Sequence, residues 1–210
     1  MSAPYRTADT LPEYVSEPPT KSLGRRRSSH FRKGLFGAYA RAARLNPIVA
    51  VHDGGLVVWT GLEQHVVIPF DAIDAIYYRE NPLLDSAKGV SLVAFDGVRI
   101  EIPDDVCDLE QILIRLRLCV TRPLERRAIE ALRHGERMTF GPVDLELDGL
   151  RLRGDLLLWS EMSRVVFERD ALVVYRRDAL GRFGWVRLTQ LPHIPVLAEV
   201  LRLRVPVILF

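Results

Sequence analysis

The chain has 210 residues, enough for one large domain or two small ones. With 48% hydrophobic and 27% charged residues it has a globular composition, which excludes a fibrous or wholly disordered protein. The net charge of +2 hides an uneven spread: Lys21 to Arg44 carries eight Lys or Arg and no acid, whereas Leu45 onward holds 20 bases against 24 acids.

No stretch approaches roughly 18 apolar residues, so no transmembrane helix is expected, and no apolar signal core follows the N-terminal charges. The expected location is the cytoplasm. The two cysteines, Cys107 and Cys119, are expected on one helix, about 18 Å apart at a rise of about 1.5 Å per residue, too far for a disulfide.

Met1 to Thr20 holds four prolines and few large apolar residues and reads as disordered. Lys21 to Lys33 reads as a flexible, solvated basic arm, so residues 1–33 are set apart from the folded body. Leu35 to Arg44 has the pattern of a short helix, ended by Asn46-Pro47, because a residue before proline avoids the helical region.

The first unit spans residues 34–134. Ile48 to Val51 and Leu56 to Trp59 read as strands around the Asp53-Gly54-Gly55 turn. Val66 to Ile68 is a third strand, ending at Pro69, which has no N–H to give a ladder. Ile73 to Tyr78 is a fourth. Asp96-Gly97 predicts a two-residue hairpin that pairs Val93 with Ile100 and Ser91 with Ile102. From Val106 to Val120 the apolar period changes to that of a helix, with Asp104 or Asp105 as its cap. Thr121-Arg122-Pro123 interrupts it, and Leu124 to Arg133 is a separate connector helix stopped by Gly135.

The second unit spans residues 136–210. Phe140 ends a strand. Val143 to Arg153 alternates, and an Asp148-Gly149 turn would set Glu146 opposite Arg151 and Asp144 opposite Arg153. Leu156 to Trp159, Val165 to Phe167, Leu172 to Tyr175 and Trp185 to Leu188 read as further strands. A final helix runs from Pro195 to about Arg204. The apolar tail Val207 to Phe210 would tuck against a sheet or a partner.

The stretch Pro69-Phe70-Asp71-Ala72-Ile73 recurs as Leu158-Trp159-Ser160-Glu161-Met162. In this corner the aromatic anchors a strand end, and Asp71 or Ser160 caps a tight turn. Strands followed by one helix, with this corner, resemble a pleckstrin-homology-like unit. Together with Gly55-Leu56-Val57-Val58 and Arg137-Met138-Thr139-Phe140-Gly141-Pro142, the chain resembles a family of uncharacterised bacterial proteins with two such units in tandem. The resemblance implies an α+β, mostly β fold: two antiparallel barrel or sheet units, each closed by a C-terminal helix. It implies no site residue. Phe70, Asp71, Trp159, Ser160 and Glu161 are therefore assigned to structure.

No motif points to an enzyme. His30, His52, His65, His134 and His193 are scattered without metal-ligand spacing. Gly34-Leu35-Phe36-Gly37 lacks the lysine and preceding strand of a phosphate loop. No cofactor or metal is expected. The expected function is a non-enzymatic interaction or scaffold module with a protein partner. The alternative is a peripheral module drawn to an anionic membrane by residues 21–44, with Arg25, Arg26, Arg27, Arg32, Lys33, Leu35 and Phe36 as contacts. Nucleic acid is disfavoured, because the run carries no aromatic-lined surface. Arg25-Arg26-Arg27-Ser28-Ser29 also has the form of a basic-directed phosphorylation site.

Overall fold

The computed structural model describes residues 20–34, 38, 48–60, 64–84, 89–178 and 181–210. The expected disorder of Met1 to Thr20, and the short helix expected over Leu35 to Arg44, lie outside them but for Thr20 and Ala38. The fold is mostly β. A first antiparallel sheet runs in the order β1 (Arg26–His30), β2 (Val49–His52), β3 (Gly55–Trp59), β4 (His65–Pro69). A tight turn, Phe70–Ala72, leads into a second, of β5 (Ile73–Tyr78), β6 (Val90–Ala94) and β7 (Arg99–Ile102).

A long helical stretch follows: α1 (Leu109–Leu116), a wide π turn (Arg117–Thr121) and α2 (Arg122–Arg133). The third sheet holds β8 (Met138–Phe140), β9 (Val143–Leu145), β10 (Gly149–Leu152) and β11 (Asp155–Leu158). After the turn Trp159–Glu161 come β12 (Met162–Phe167), β13 (Ala171–Arg176) and β14 (Arg182–Arg187). The helix α3 (Ile194–Arg202) then returns the chain so that β15 (Val207–Leu209) pairs in parallel with β12, giving the sheet order β14-β13-β12-β15. The apolar tail thus adds to a sheet. Among the described residues no sheet closes into a barrel.

Several expectations are corrected. The arm over 21–33 is not free: Arg26–His30 pairs antiparallel with β2, and Arg32 bridges Val106. Three basic residues at the strand's start hid it, but Ser28, Ser29 and His30 supply ladder positions. His30 is buried, its Nδ1–H donating to the Cys107 carbonyl at 3.1 Å.

The Asp96-Gly97 hairpin is slipped by one residue, with Leu92 opposite Ile100 and Val90 opposite Ile102. Gly97, at φ +83°, closes a three-residue loop, and that register turns Val90, Leu92, Ile100 and Ile102 into the core while Phe95 stays 72% exposed. In the next hairpin Arg151 lies opposite Asp144, two residues from the expected register, because Glu146 N–H bonds the Gly149 carbonyl and the turn falls on Leu147-Asp148. Asp144 is buried, and bonds Arg137 and Thr139 instead of Arg153.

Pro123 does not break the helix. The π turn widens the backbone ahead of it, the Arg122 N–H reaches the Arg117 carbonyl, and the ring sits where its missing N–H costs little. The expected connector is therefore the second part of one helical stretch. Nor do Asp104 and Asp105 cap it: left-handed Asp108 immediately precedes α1, without a side-chain cap. Cys107 accordingly falls before the helix, and both cysteines are free.

The second half repeats the local geometry of the first. Phe70 N–H bonds the Gly54 carbonyl at 2.9 Å, and Trp159 N–H bonds that of Asp148 at 3.0 Å. Phe95 N–H bonds Ala72 O, and Arg177 N–H bonds Glu161 O. Register shifts fall between Ile73 and Ala75 in β5 and between Met162 and Arg164 in β12. Gly55 and Gly149 open equivalent strands; a Cβ on either would overlap a carbonyl oxygen across the ladder, Ile68 in one and Leu157 in the other. A left-handed residue precedes the helix in each half, Asp108 and His193.

One apolar core runs through both halves, from Val49 to Val205. Two polar staples join them. Buried Asn81 donates to the Phe167 and Glu168 carbonyls at 3.4 and 3.0 Å. His193, at φ +50°, donates its N–H to Ile76 O and its Nε2–H to Asp74 O, each at 2.8 Å. Its Nδ1 is buried without a partner, and burial lowers its pKa despite the Asp74 carbonyl and charge. This contribution to stability is complete above pH 6.5, the unfolded value, and is lost as pH falls through the lowered folded value. Denaturant titrations at about pH 7.5 and 5.5 should show wild type losing more stability than His193→Asn, which keeps the left-handed backbone but cannot titrate.

Candidate functional site

An open groove of about 450 Å³ lies where the two halves meet. Its first wall is Tyr78 at the end of β5, with Pro82 and Leu83 just beyond. Asn81 fixes that wall: while its amide nitrogen holds the second half, its Oδ1 accepts the Leu83 N–H at 3.0 Å. The second wall is the long helical stretch, through Glu110, Leu113, Arg117, Thr121 and Glu125. A π turn winds fewer degrees per residue than an α-helix, which keeps positions before and after it on one face. Pro195, Glu199 and Arg202, about one turn apart on α3, form the third wall, and Leu209 of β15 completes it.

The charges in the groove are not equivalent. Tyr78 is buried, and burial pushes its hydroxyl up to about 12, opposed by a hydrogen bond from Thr121 and the Arg117 charge. The neutral phenol is thus its working form. Arg202 pairs with Glu199 along α3. One oxygen of Glu125, Oε1, is buried without a partner. Burial, and then the nearby Glu199 carboxylate, raise the Glu125 pKa, with Arg117 and Arg122 opposing. A carboxylate so placed favours any cation that reaches it, while Leu83, Leu113 and Ile114 offer apolar contact alongside.

Of the residues expected to make contacts, none that the structure describes lines this groove. Arg25, Arg26 and Lys33 are exposed on and beside β1. Arg27 bonds Asp53, and that hydrogen bond lowers the Asp53 carboxyl; Arg115 reaches the same carboxylate at 3.5 Å. Arg32 lies 3.6 Å from Asp105. Leu35 and Phe36 are outside the described residues. Ser28, proposed for phosphorylation, bonds the buried His30 ring, and Ser29 lies in the ladder opposite Ala50.

The corners are built as expected at their aromatics and differently at their caps. Phe70 is buried, and half-buried Trp159 donates its Nε1–H to the Leu147 carbonyl at 2.9 Å. Neither Asp71 nor Ser160 caps its turn through a side chain. Glu161 pairs with Arg176 at 3.4 Å.

Glu125 escaped the sequence reading, although a signal was present. It lies on the stripe of Thr121, Ala128 and Leu132, the buried face of α2, where a carboxylate is out of place. Among the described residues no group of His, Cys, Asp or Glu is arranged to hold a metal, and no helix is long and apolar enough to cross a membrane.

Residues 33–205 match the model of DUF6585, a family of unknown function, and the chain belongs to that family. No curated protein matches the chain.

The raised Glu125 pKa has a thermodynamic consequence. Relative to the unfolded chain, with a value of 4.5, folding is favoured at low pH, and that advantage is lost as pH rises through the folded value. Glu125→Gln should therefore shift the denaturation midpoint upward at pH 7, and the gain should vanish below about pH 4.5.

Proposed function

We propose that this chain is a non-enzymatic interaction module of two tandem pleckstrin-homology-like units, which takes an extended segment of a protein partner in the groove between them. Supporting the two-unit reading, each half holds two sheets, antiparallel but for the added β15, followed by a helical stretch, and repeats the same corner bonds. The first unit begins no later than β1, ahead of residue 34. The observation that carries the binding reading is the partnerless Glu125 oxygen in an open groove walled by both halves. A basic side chain would meet Glu125 and Glu199 while neighbouring apolar groups lie on Leu83 and Ile114. A photocrosslinking amino acid at Ile114, which is 51% exposed, tests this in cells. A discrete protein adduct is expected, and Glu125→Lys should abolish it. An adduct that survives Glu125→Lys contradicts the reading.

A second reading, recruitment to an anionic membrane by residues 21–44, is supported by the exposure of Arg25, Arg26 and Lys33. Arg27 and Arg32 are already engaged by Asp53 and Asp105, which weakens it. Sedimentation with anionic vesicles should fall about fivefold for each charge lost in an Arg25→Gln/Arg26→Gln/Lys33→Gln variant if the arm is the contact. Unchanged sedimentation rejects the arm.

A further inference from the structure

The outer face of the sheet formed by β12 to β15 carries charge and apolar bulk that the groove does not use. Its floor is closed: Val166, Ala171 and Val173 are buried and pack with Tyr175 and Ile208. The surface is therefore made by taller neighbours. Trp185, opposite Val173 in the ladder, is 47% exposed. Arg187 lies opposite Ala171, and Arg164 opposite Tyr175, so both arginines share that face. Arg153 approaches from the β10–β11 turn, its guanidinium 5.9 Å from the Trp185 ring centre. At the other edge Ile208 is half-buried, and Phe210, whose N–H bonds Phe167 O, is 72% exposed.

The charge on this face is unbalanced. Arg153, Arg164 and Arg187 have no carboxylate partner among the described residues. Arg182 is held by Glu168 at 3.6 Å, Asp170 lies at the β12–β13 turn, and Asp155 opens β11 beside the turn that carries Arg153. The first unit differs: there Arg99 and Arg79 both reach Glu101, at 3.2 and 3.6 Å, so neither arginine lacks a carboxylate partner.

We infer that the outer face of the β12–β15 sheet is a docking surface for an anionic lipid bilayer. Trp185 and Phe210 would enter the headgroup region from the two edges, and Arg153, Arg164 and Arg187 would meet lipid phosphates. An exposed Trp and Phe beside unpaired arginines is the amphipathic pattern of an interface, one end apolar and one charged. Charge complementarity calls for an anionic occupant. A bilayer is favoured over single-stranded nucleic acid because base stacking needs free ring faces. The Arg164 guanidinium already covers Tyr175, 4.5 Å from its ring centre. The inference depends neither on the groove nor on the basic arm.

Full-length protein is sedimented with phosphatidylcholine vesicles, with and without phosphatidylserine, at low and high salt. Binding is expected only with phosphatidylserine and should weaken with salt. Arg164→Gln/Arg187→Gln should reduce it about fivefold per arginine, as about 1 kcal/mol per charge near the surface implies. The emission of wild-type protein should shift to the blue on binding, and Trp185→Phe should lose that shift. The emission result is read on protein with an intact Arg164 and Arg187, so it decides the question even where the double variant unfolds early. Equal binding to neutral vesicles, no loss in a folded double variant, or an unchanged shift in Trp185→Phe overturns the inference. So does binding of a single-stranded oligonucleotide, weakened by the same arginine changes, with no vesicle binding. The Ile114 crosslink should be untouched by these variants, so failure here leaves the groove reading standing.

Discussion

His193 holds the two halves together through the backbone of β5. It sits in the left-handed region just before α3, so its own N–H and its ring Nε2–H both point at the β5 backbone. β5 is an edge strand, and an edge leaves carbonyls that must find donors. His193 supplies two of them. The equivalent edge in the second half, that of β12, is completed by β15. Each half therefore finishes an open edge with a segment from near the C-terminus. Small units bury too little surface to stand on their own cores, and here a single core passes through both.

The two halves share a backbone plan and differ in what they place on it. In the first sheet Ala50 and Val57 face outward and are buried under Leu23, which the preceding segment folds over them. The matching residues of the third sheet are Asp144 and Arg151. Burial there would discharge Asp144, but the hydrogen bonds from Arg137 and Thr139 outweigh it and keep the carboxyl below its usual range. One face is thus closed by apolar cover and the other by a polar network. Similar geometry carries different chemistry, which is why shared architecture says little about a ligand.

The groove is a product of the join. The π turn carries the helical wall past Pro123 without a break and keeps Glu125 facing the same space as Arg117. Asn81 fixes the opposite wall through bonds that cross between halves. Without that join, Glu125 would lose both the burial and the Glu199 charge that raise its proton affinity.

Most strands were legible because alternation and turn residues are local signals. Val49 to Val51, Leu56 to Trp59, Ile73 to Tyr78 and Leu172 to Tyr175 fall where the pattern sets them. Family membership and the mostly β class were within reach of the same reading, since Pro69-Phe70 and Trp159-Ser160 mark matched corners. What the residues alone did not decide were relations between distant segments. The register of both hairpins was set by which side chains reach the core, not by the Asp-Gly pair at the tip. Arg26–His30 became a strand because β2, at Val49–His52, offered an unpaired ladder far along the chain. Glu125 became unusual once folding buried it and packed Glu199, 74 residues on, beside it. Periodicity reports a residue's immediate neighbours along the chain, whereas burial, edge pairing and proton affinity depend on neighbours that only folding brings near.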